Sequence, residues 1–252
     1  MSLESKFKLS IPADELRAKY EAERERRMRP DGSAQYQELK GKFADLDQDP
    51  YITEEIVREP VVTEHEVVIL GGGFGGLTQG AHLVKQGIED FVIIERAGDF
   101  GGTWYWNRFP GCMCDVESYC YLPLLDETGY VPKAKYSKAP EIFAYCQMIG
   151  RHFGLYERAL FQTQVTDARW DEAAKRWIIT TDRGDRLAAR YFVIAGGILH
   201  KAKLPGIPGI ETFKGKIFHT SRWDHDYSGG TWRNPVLDKL ADKRVAILGT
   251  GA

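Results

Sequence analysis

The sequence is poor in the features that usually name a partner at once. It has no excess of positive charge: 34 basic side chains face 36 acidic ones, a formal balance of −2. That is far from the strong positive charge that nucleic-acid binding would need, so no nucleic-acid partner is expected. Cysteine is scarce, with only Cys112, Cys114, Cys120 and Cys146 among 252 residues. Three of the four crowd into nine positions with neither a zinc spacing nor a second pair, which predicts buried thiols rather than a metal site or a secreted disulfide framework. No apolar run approaches the roughly 18 to 20 residues of a membrane span. The longest aliphatic stretches, Val67 to Leu70 and Phe91 to Ile94, have strand length. The opening MSLESKFK lacks the apolar core of a signal peptide, so a cytoplasmic protein without a membrane anchor is expected. What is present is core material: 43% hydrophobic and 12% aromatic residues suit a globular chain.

Residues 1–60 are polar and nearly free of strand patterning. Between Ala13 and Arg29 the pairs Glu15/Lys19, Glu23/Arg27 and Glu25/Arg29 sit four apart, predicting an exposed helix packed on the main domain by Leu16 and Tyr20. Pro30-Asp31-Gly32 ends it. From Glu64 the pattern changes. His65–Leu70 reads as a strand, Gly71–Gly76 as a glycine turn, Leu77–Lys85 as a helix and Phe91–Glu95 as a second strand, which makes a βαβ unit. Residues 98–123 read as an irregular aromatic loop. Ala139–Leu155, with Pro140 in its first turn, has helical spacing. Strands near Gln164–Trp170, Arg176–Thr181 and Arg186–Ala195 form an antiparallel meander. A Pro/Gly connector follows at Pro205–Gly209, and Arg244–Leu248 predicts a further strand running into Gly249-Thr250-Gly251. The expected class is α/β, a Rossmann-like parallel sheet with a small meander. The expected segments are 1–60 as a helical extension, 61–210 as a dinucleotide-binding domain, 211–243 as a linker and 244–252 as the start of a second nucleotide domain.

The chemistry begins at Gly71-x-Gly73-x-x-Gly76. Between a strand and a helix these glycines serve a tight turn, close approach of the backbone to a pyrophosphate, and close packing of helix on sheet. The helix N-terminus then offers free N–H groups and a positive dipole end to the phosphates. Glu95 lies 19 residues past Gly76, where a carboxylate accepts ribose hydroxyls and disfavours a 2′-phosphate, so FAD or NAD suits this site better than NADP. In Gly101-Gly102-Thr103-Trp104-Tyr105-Trp106-Asn107-Arg108-Phe109-Pro110-Gly111, two glycines let the chain pass flat against a planar ring system, and aromatics wall it.

The glycine fingerprint, the Gly-Gly-Thr-Trp-Tyr-Trp-Asn-Arg run, Asp115-x-Glu117-Ser118, and Phe213-x-Gly215-x-x-x-His219-x-x-x-Trp223-Asp224 together resemble type I Baeyer–Villiger monooxygenases, over roughly residues 60–252. The resemblance implies a two-dinucleotide-binding flavoprotein in which NADPH reduces FAD, and O2 then supplies an oxygen atom inserted beside the carbonyl of a small-molecule ketone, with bulky or cyclic ketones among the candidates. It implies FAD contacts from Gly71, Gly73, Phe74, Gly76, Glu95, Gly102, Thr103, Trp104, Asp115, Tyr121 and Val165, and NADPH contacts from Gly249 and Gly251. It assigns catalytic roles to Asp115, facing the flavin and pairing with an arginine beyond this chain, and to His219 and Trp223 at a moving junction. Phe109 stands where the family more usually has Tyr, and Cys112 where it often has Ala. Related disulfide reductases carry a redox cysteine after Gly-Gly-Thr; here that residue is Trp104. Val245–Gly251 resembles the opening of an NADPH fingerprint that stops before its third glycine, so a truncated chain, inactive alone, is expected.

Other readings remain open. Trp223-Asp224 separates the family from sister flavin monooxygenases that oxidise nitrogen or sulfur, and a non-catalytic FAD-binding remnant is the alternative from another class. His219, Asp224, His225 and Asp226 could be read as metal ligands. On an extended segment alternate side chains point opposite ways, so no metal is expected. Asp115 could instead cap a helix beginning at Val116.

Overall fold

The computed structural model describes residues 11–28, 30–37 and 39–249. Among them the strands in chain order are β1 (Tyr36–Gln37), β2 (Val62–Leu70), β3 (Phe91–Ile94), β4 (Ala159–Leu160), β5 (Val165–Asp171), β6 (Arg176–Thr181), β7 (Arg186–Ile194) and β8 (Leu204–Pro205). The α-helices are α1 (Ala13–Arg27), α2 (Phe74–Lys85), α3 (Thr103–Trp106), α4 (Ser118–Tyr121), α5 (Leu125–Thr128), α6 (Ala139–His152) and α7 (His225–Ser228). The chain divides into two compact units, Met1–Leu39 with Lys203–Lys214, and Lys40–Ala202 with Gly215–Ala252.

In the smaller unit β1 and β8 form a two-residue antiparallel ladder with Tyr36 opposite Pro205. Acidic residues in the first turn of α1 and basic residues in its last turn oppose the helix dipole favourably. The helix holds no buried residue, and Tyr20 is 66% exposed. Leu16 is half-buried, and charge on every face leaves the helix no wide apolar stripe. Arg26 pairs with Glu23 one turn back at 3.1 Å, while Arg27 Nε donates to the Glu23 carbonyl oxygen at 3.0 Å. Arg29, in the third expected pair, lies outside the described residues.

The larger unit is built on one six-stranded sheet of order β4-β3-β2-β7-β6-β5. β2 runs parallel to β3 and to β7, and β3 runs parallel to β4. β5, β6 and β7 are antiparallel. The meander is thus continuous with the parallel sheet through β7, whose residues Arg186 to Ile194 pair along the whole of β2. All four residues of β3 are buried, as expected of a parallel strand covered on both faces. One face of the sheet carries the larger core, with Leu77, Ile93, Phe100, Trp106, Ile142 and Ile149. The other carries Val68, Ile94, Ile179 and Leu187.

Three local expectations are corrected. Residues 98–123 are not wholly irregular, since α3 and α4 each make one helical turn. Cys120 is exposed, while Cys112, Cys114 and Cys146 are buried. The expected strand at Arg244–Leu248 is absent: the segment is irregular and Ile247 is exposed. Among the described residues it has no neighbouring strand to pair with, and an isolated strand leaves its backbone groups to water.

Candidate cofactor-binding site

The glycine turn is forced by crowding. Gly71 has φ +104°, and a Cβ there would lie 2.4 Å from the Ala195 carbonyl oxygen. A Cβ on Gly76 would lie 1.8 Å from the Gly71 carbonyl oxygen. These two positions admit no side chain, and α2 can start directly over the end of β2 for that reason. Gly73 is the N-cap of α2 and supplies no side-chain cap, so the first-turn N–H groups, which have no intrahelical acceptor, are left for a ligand. The aromatic loop is tied to the turn by the Gly101 N–H, which donates to the Gly72 carbonyl oxygen at 2.9 Å. Gly102, at φ +51°, brings its backbone against Gly73; a Cβ on it would sit 2.7 Å from the Gly73 Cα.

These elements open on a cleft of about 520 Å³, within the range of small-molecule sites. Gly71, Gly73 and Phe74 line it from the turn, Gly102, Thr103 and Trp104 from the aromatic loop, and Glu95, Tyr121 and Val165 complete the set of expected residues found there. Glu95 is 6% exposed. Its Oε1 accepts from the Ala97 N–H at 2.7 Å and its Oε2 from the Gly72 N–H. Burial pushes its carboxyl upward, opposed by those two N–H groups. A carboxylate has about four lone-pair sites, so capacity remains for hydroxyl donors. Trp104 Nε1 donates to the Tyr121 hydroxyl at 3.0 Å, and the Tyr121 ring meets Phe74 edge-on at 5.5 Å. This linked aromatic wall is apolar with few free polar atoms.

The remaining expected residues lie elsewhere. Gly76 is buried in the first turn of α2 and serves packing. Asp115 is exposed and does not line the cleft. It caps nothing either, because α4 starts at Ser118 with Glu117 as N-cap. His219 Nδ1 accepts from the Ser221 N–H at 3.1 Å and caps the 3₁₀ turn Thr220–Arg222, which puts the proton of the neutral ring on Nε2. Burial first, and then Arg222, lower its basicity. Trp223 Nε1 donates to Ser228 Oγ at 2.8 Å, and its ring stacks edge-on with Phe218 at 5.0 Å. Gly249 is exposed at φ +99° with open space around it, and Gly251 lies outside the described residues.

The structure places Trp106 of the aromatic run on the cleft and adds residues that the motif reading did not name: Arg96, Thr163, Gln164 and the stretch Gly196–Lys201. One signal was available for the last of these. Gly196-Gly197 follows a strand, and ligands of open α/β sheets bind beyond the carboxyl ends of strands. Arg96 and Lys201 are balanced by Asp47, at 3.2 and 3.9 Å.

Residues 68–232 match the model of the pyridine nucleotide-disulphide oxidoreductase family. The chain is 53% identical over 251 residues to Baeyer-Villiger monooxygenase 4 of Dietzia sp. (strain D5), covering 99% of this chain and 41% of that protein. Its structure is similar to that of the polycyclic ketone monooxygenase from Thermothelomyces thermophila, with TM-score 0.84 and 40% identity, covering 95% of this chain and 41% of that one. It is also similar to OTEMO solved with FAD and NADP, with TM-score 0.60 and 33% identity over 69% of this chain and 32% of that one. The chain therefore spans about two fifths of the length of the first two of these relatives. With a sheet parallel across β4, β3, β2 and β7, a glycine turn at the end of β2 and a match over residues 68–232, the chain belongs to the pyridine nucleotide-disulphide oxidoreductase family.

Proposed function

We propose that the chain is the flavin-binding part of an NADPH- and O2-dependent monooxygenase of the Baeyer–Villiger type, which inserts one oxygen atom beside a ketone carbonyl to give an ester or lactone. The observation that carries the proposal is the cleft itself. It joins an uncapped helix N-terminus, a buried acid and a Gly-Gly-Thr-Trp loop in which Trp104 occupies the place of a redox cysteine. The 53% identity to a Baeyer-Villiger monooxygenase over 99% of the chain supports it.

The residues fit FAD. The first-turn N–H groups of α2 suit a pyrophosphate, Glu95 retains acceptor capacity for ribose hydroxyls, and at the Gly73–Gly102 contact two bare backbones meet where a Cβ on Gly102 would wedge the loop away from the turn. When bound, FAD would carry electrons from NADPH and activate O2. The chain's own task is to orient the ring system and keep water out, through Phe74, Trp104 and Tyr121. Residues 61–210 then serve as the FAD domain, 211–243 as a linker and 244–252 as the opening of the NADPH domain, to which Gly249 and Gly251 belong. Asp115, exposed here, is assigned to an arginine supplied outside this chain, and His219 with Trp223 to the coupling of the linker. Trp223-Asp224 favours oxidation of a ketone over that of nitrogen or sulfur. Four free cysteines suit a reducing, cytoplasmic setting, and no described helix is long and apolar enough to cross a membrane.

The reaction is tested in a protein of the relatives' length that carries these residues, supplied with NADPH, a cyclic ketone and 18O2. A lactone holding one 18O, formed with matching NADPH loss, is expected. An amine or sulfide oxidised while the ketone is untouched would overturn the proposal.

A further inference from the structure

Arg222 occupies a free position in the motif between His219 and Trp223, and it is 8% exposed. A buried cation is costly unless its donors are satisfied. Here the partners are three carbonyls and the Ser221 hydroxyl, 3.3 Å from Nη1, rather than carboxylates. Nε donates to the Gln48 carbonyl oxygen at 3.2 Å, Nη1 to that of Ser221 at 3.0 Å and Nη2 to that of His200 at 3.4 Å. The guanidinium lies 4.7 Å from the centre of the Trp106 ring. Only a planar fork reaches acceptors in three directions while lying over an aromatic ring.

Two of those contacts are with the cleft. Trp106 and His200 line it, while Arg222 does not, so the guanidinium touches the cleft wall from behind. The Tyr51 hydroxyl bridges the same two segments, 3.4 Å from the carbonyl oxygens of both Trp106 and Ser221. The fastening thus joins the turn that His219 caps to the aromatic loop and to the rim that follows β7.

We infer that Arg222 is a positioning residue of the cofactor cleft: it fastens the turn after His219 to the Trp106 and His200 wall, so cofactor affinity depends on a side chain that does not touch the cofactor. The inference rests on the reading of the cleft as an FAD site. It also gives the His219–Trp223 segment a physical route to the cleft, since moving the turn must either carry this wall along or break the guanidinium's bonds.

The test is a titration of the apo-protein with FAD, followed by flavin fluorescence at a temperature well below every melting midpoint. Arg222→Met removes the fork and keeps an apolar stem, and should bind FAD roughly tenfold or more weakly. Arg222→Lys keeps the charge without the planar fork, and should fall between the two. Ile179→Val, a core truncation away from the cleft lining, should lower the melting midpoint and leave FAD affinity unchanged. Wild-type affinity in Arg222→Met overturns the inference, as does loss of affinity in Ile179→Val in step with its lost stability. If Arg222→Met shows no cooperative melt, Arg222→Lys decides: roughly threefold weaker binding supports the inference and wild-type binding overturns it. Failure of the cofactor reading is distinguishable, because the wild-type protein would then show no FAD binding at all.

Discussion

Replacing Gly102 with alanine should loosen the cleft without removing a single polar contact. Two costs act at this position. Its backbone sits at φ +51°, ψ −120°, a region in which a residue with a Cβ is strained by about 1–3 kcal/mol. The new methyl would also lie 2.7 Å from the Gly73 Cα, an overlap of two backbones that can be relieved only by separating the loop from the turn, again at about 1–3 kcal/mol. The Gly101–Gly72 hydrogen bond resists that separation, so the strain falls on the shape of the cleft as well as on folding. If about 2 kcal/mol of it is felt by the ligand, FAD binds roughly 30-fold more weakly. Gly111→Ala supplies the control, because Gly111 also has positive φ, +76°, but has nothing within 4 Å of its would-be Cβ. That variant should lose about 1 kcal/mol of stability and keep its FAD affinity. Fluorescence titration and thermal melts on both variants separate the effects. Wild-type FAD affinity in Gly102→Ala, or equal losses in the two variants, would refute the reasoning.

Asp185, buried and paired twice with Arg58 at 2.5 and 2.7 Å, has its carboxyl held down to about 2 from an ordinary 3.8. A depressed folded-state value stabilises above the ordinary value and is lost as pH falls, so the melting midpoint should drop between about pH 4 and pH 2. Asp185→Asn should remove that dependence at a cost of about 3 kcal/mol; a midpoint with unchanged acid sensitivity would contradict the pairing. A thiol reagent should label Cys120 quickly and the other three cysteines only on unfolding, since burial pushes Cys112 up to about 11 and Cys146 further upward. Fast labelling of more than one thiol would contradict the packing. Asp115→Ser should leave the folding stability of this chain within about 0.5 kcal/mol of wild type, because Asp115 is exposed and caps nothing. In a protein of the relatives' length, oxygenation at least about tenfold slower with normal FAD content would support its proposed pairing with an arginine, and normal turnover would remove that role.

Much of the fold was legible because its signals are local. The strand–glycine–helix–strand order of residues 62–94 is written in apolar runs and glycine spacing, and the meander in period-two patterning broken by turns. Patterning gives the faces of a strand but not its neighbour. That β7 both closes the meander and pairs along β2 was therefore not readable, nor was its consequence, that the loop from Gly196 to Lys201 reaches the cleft. Long-range polar contacts were equally silent. Arg58 lies in a polar stretch, yet it clamps Asp185, 127 positions away. Arg222 fills a free motif position, yet it holds His200 and Trp106. The irregular segment at 244–249 shows the converse, an apolar pattern that has no partner strand to realise it among the described residues.

The central claim, that the cleft between the glycine turn and the aromatic loop holds FAD, is tested most directly by titrating the purified chain with FAD beside its Gly73→Val variant. The account predicts saturation at roughly one FAD per chain, with loss of binding in a Gly73→Val protein that still melts cooperatively. No saturable binding by the wild-type chain, or full binding by a folded Gly73→Val variant, would contradict it.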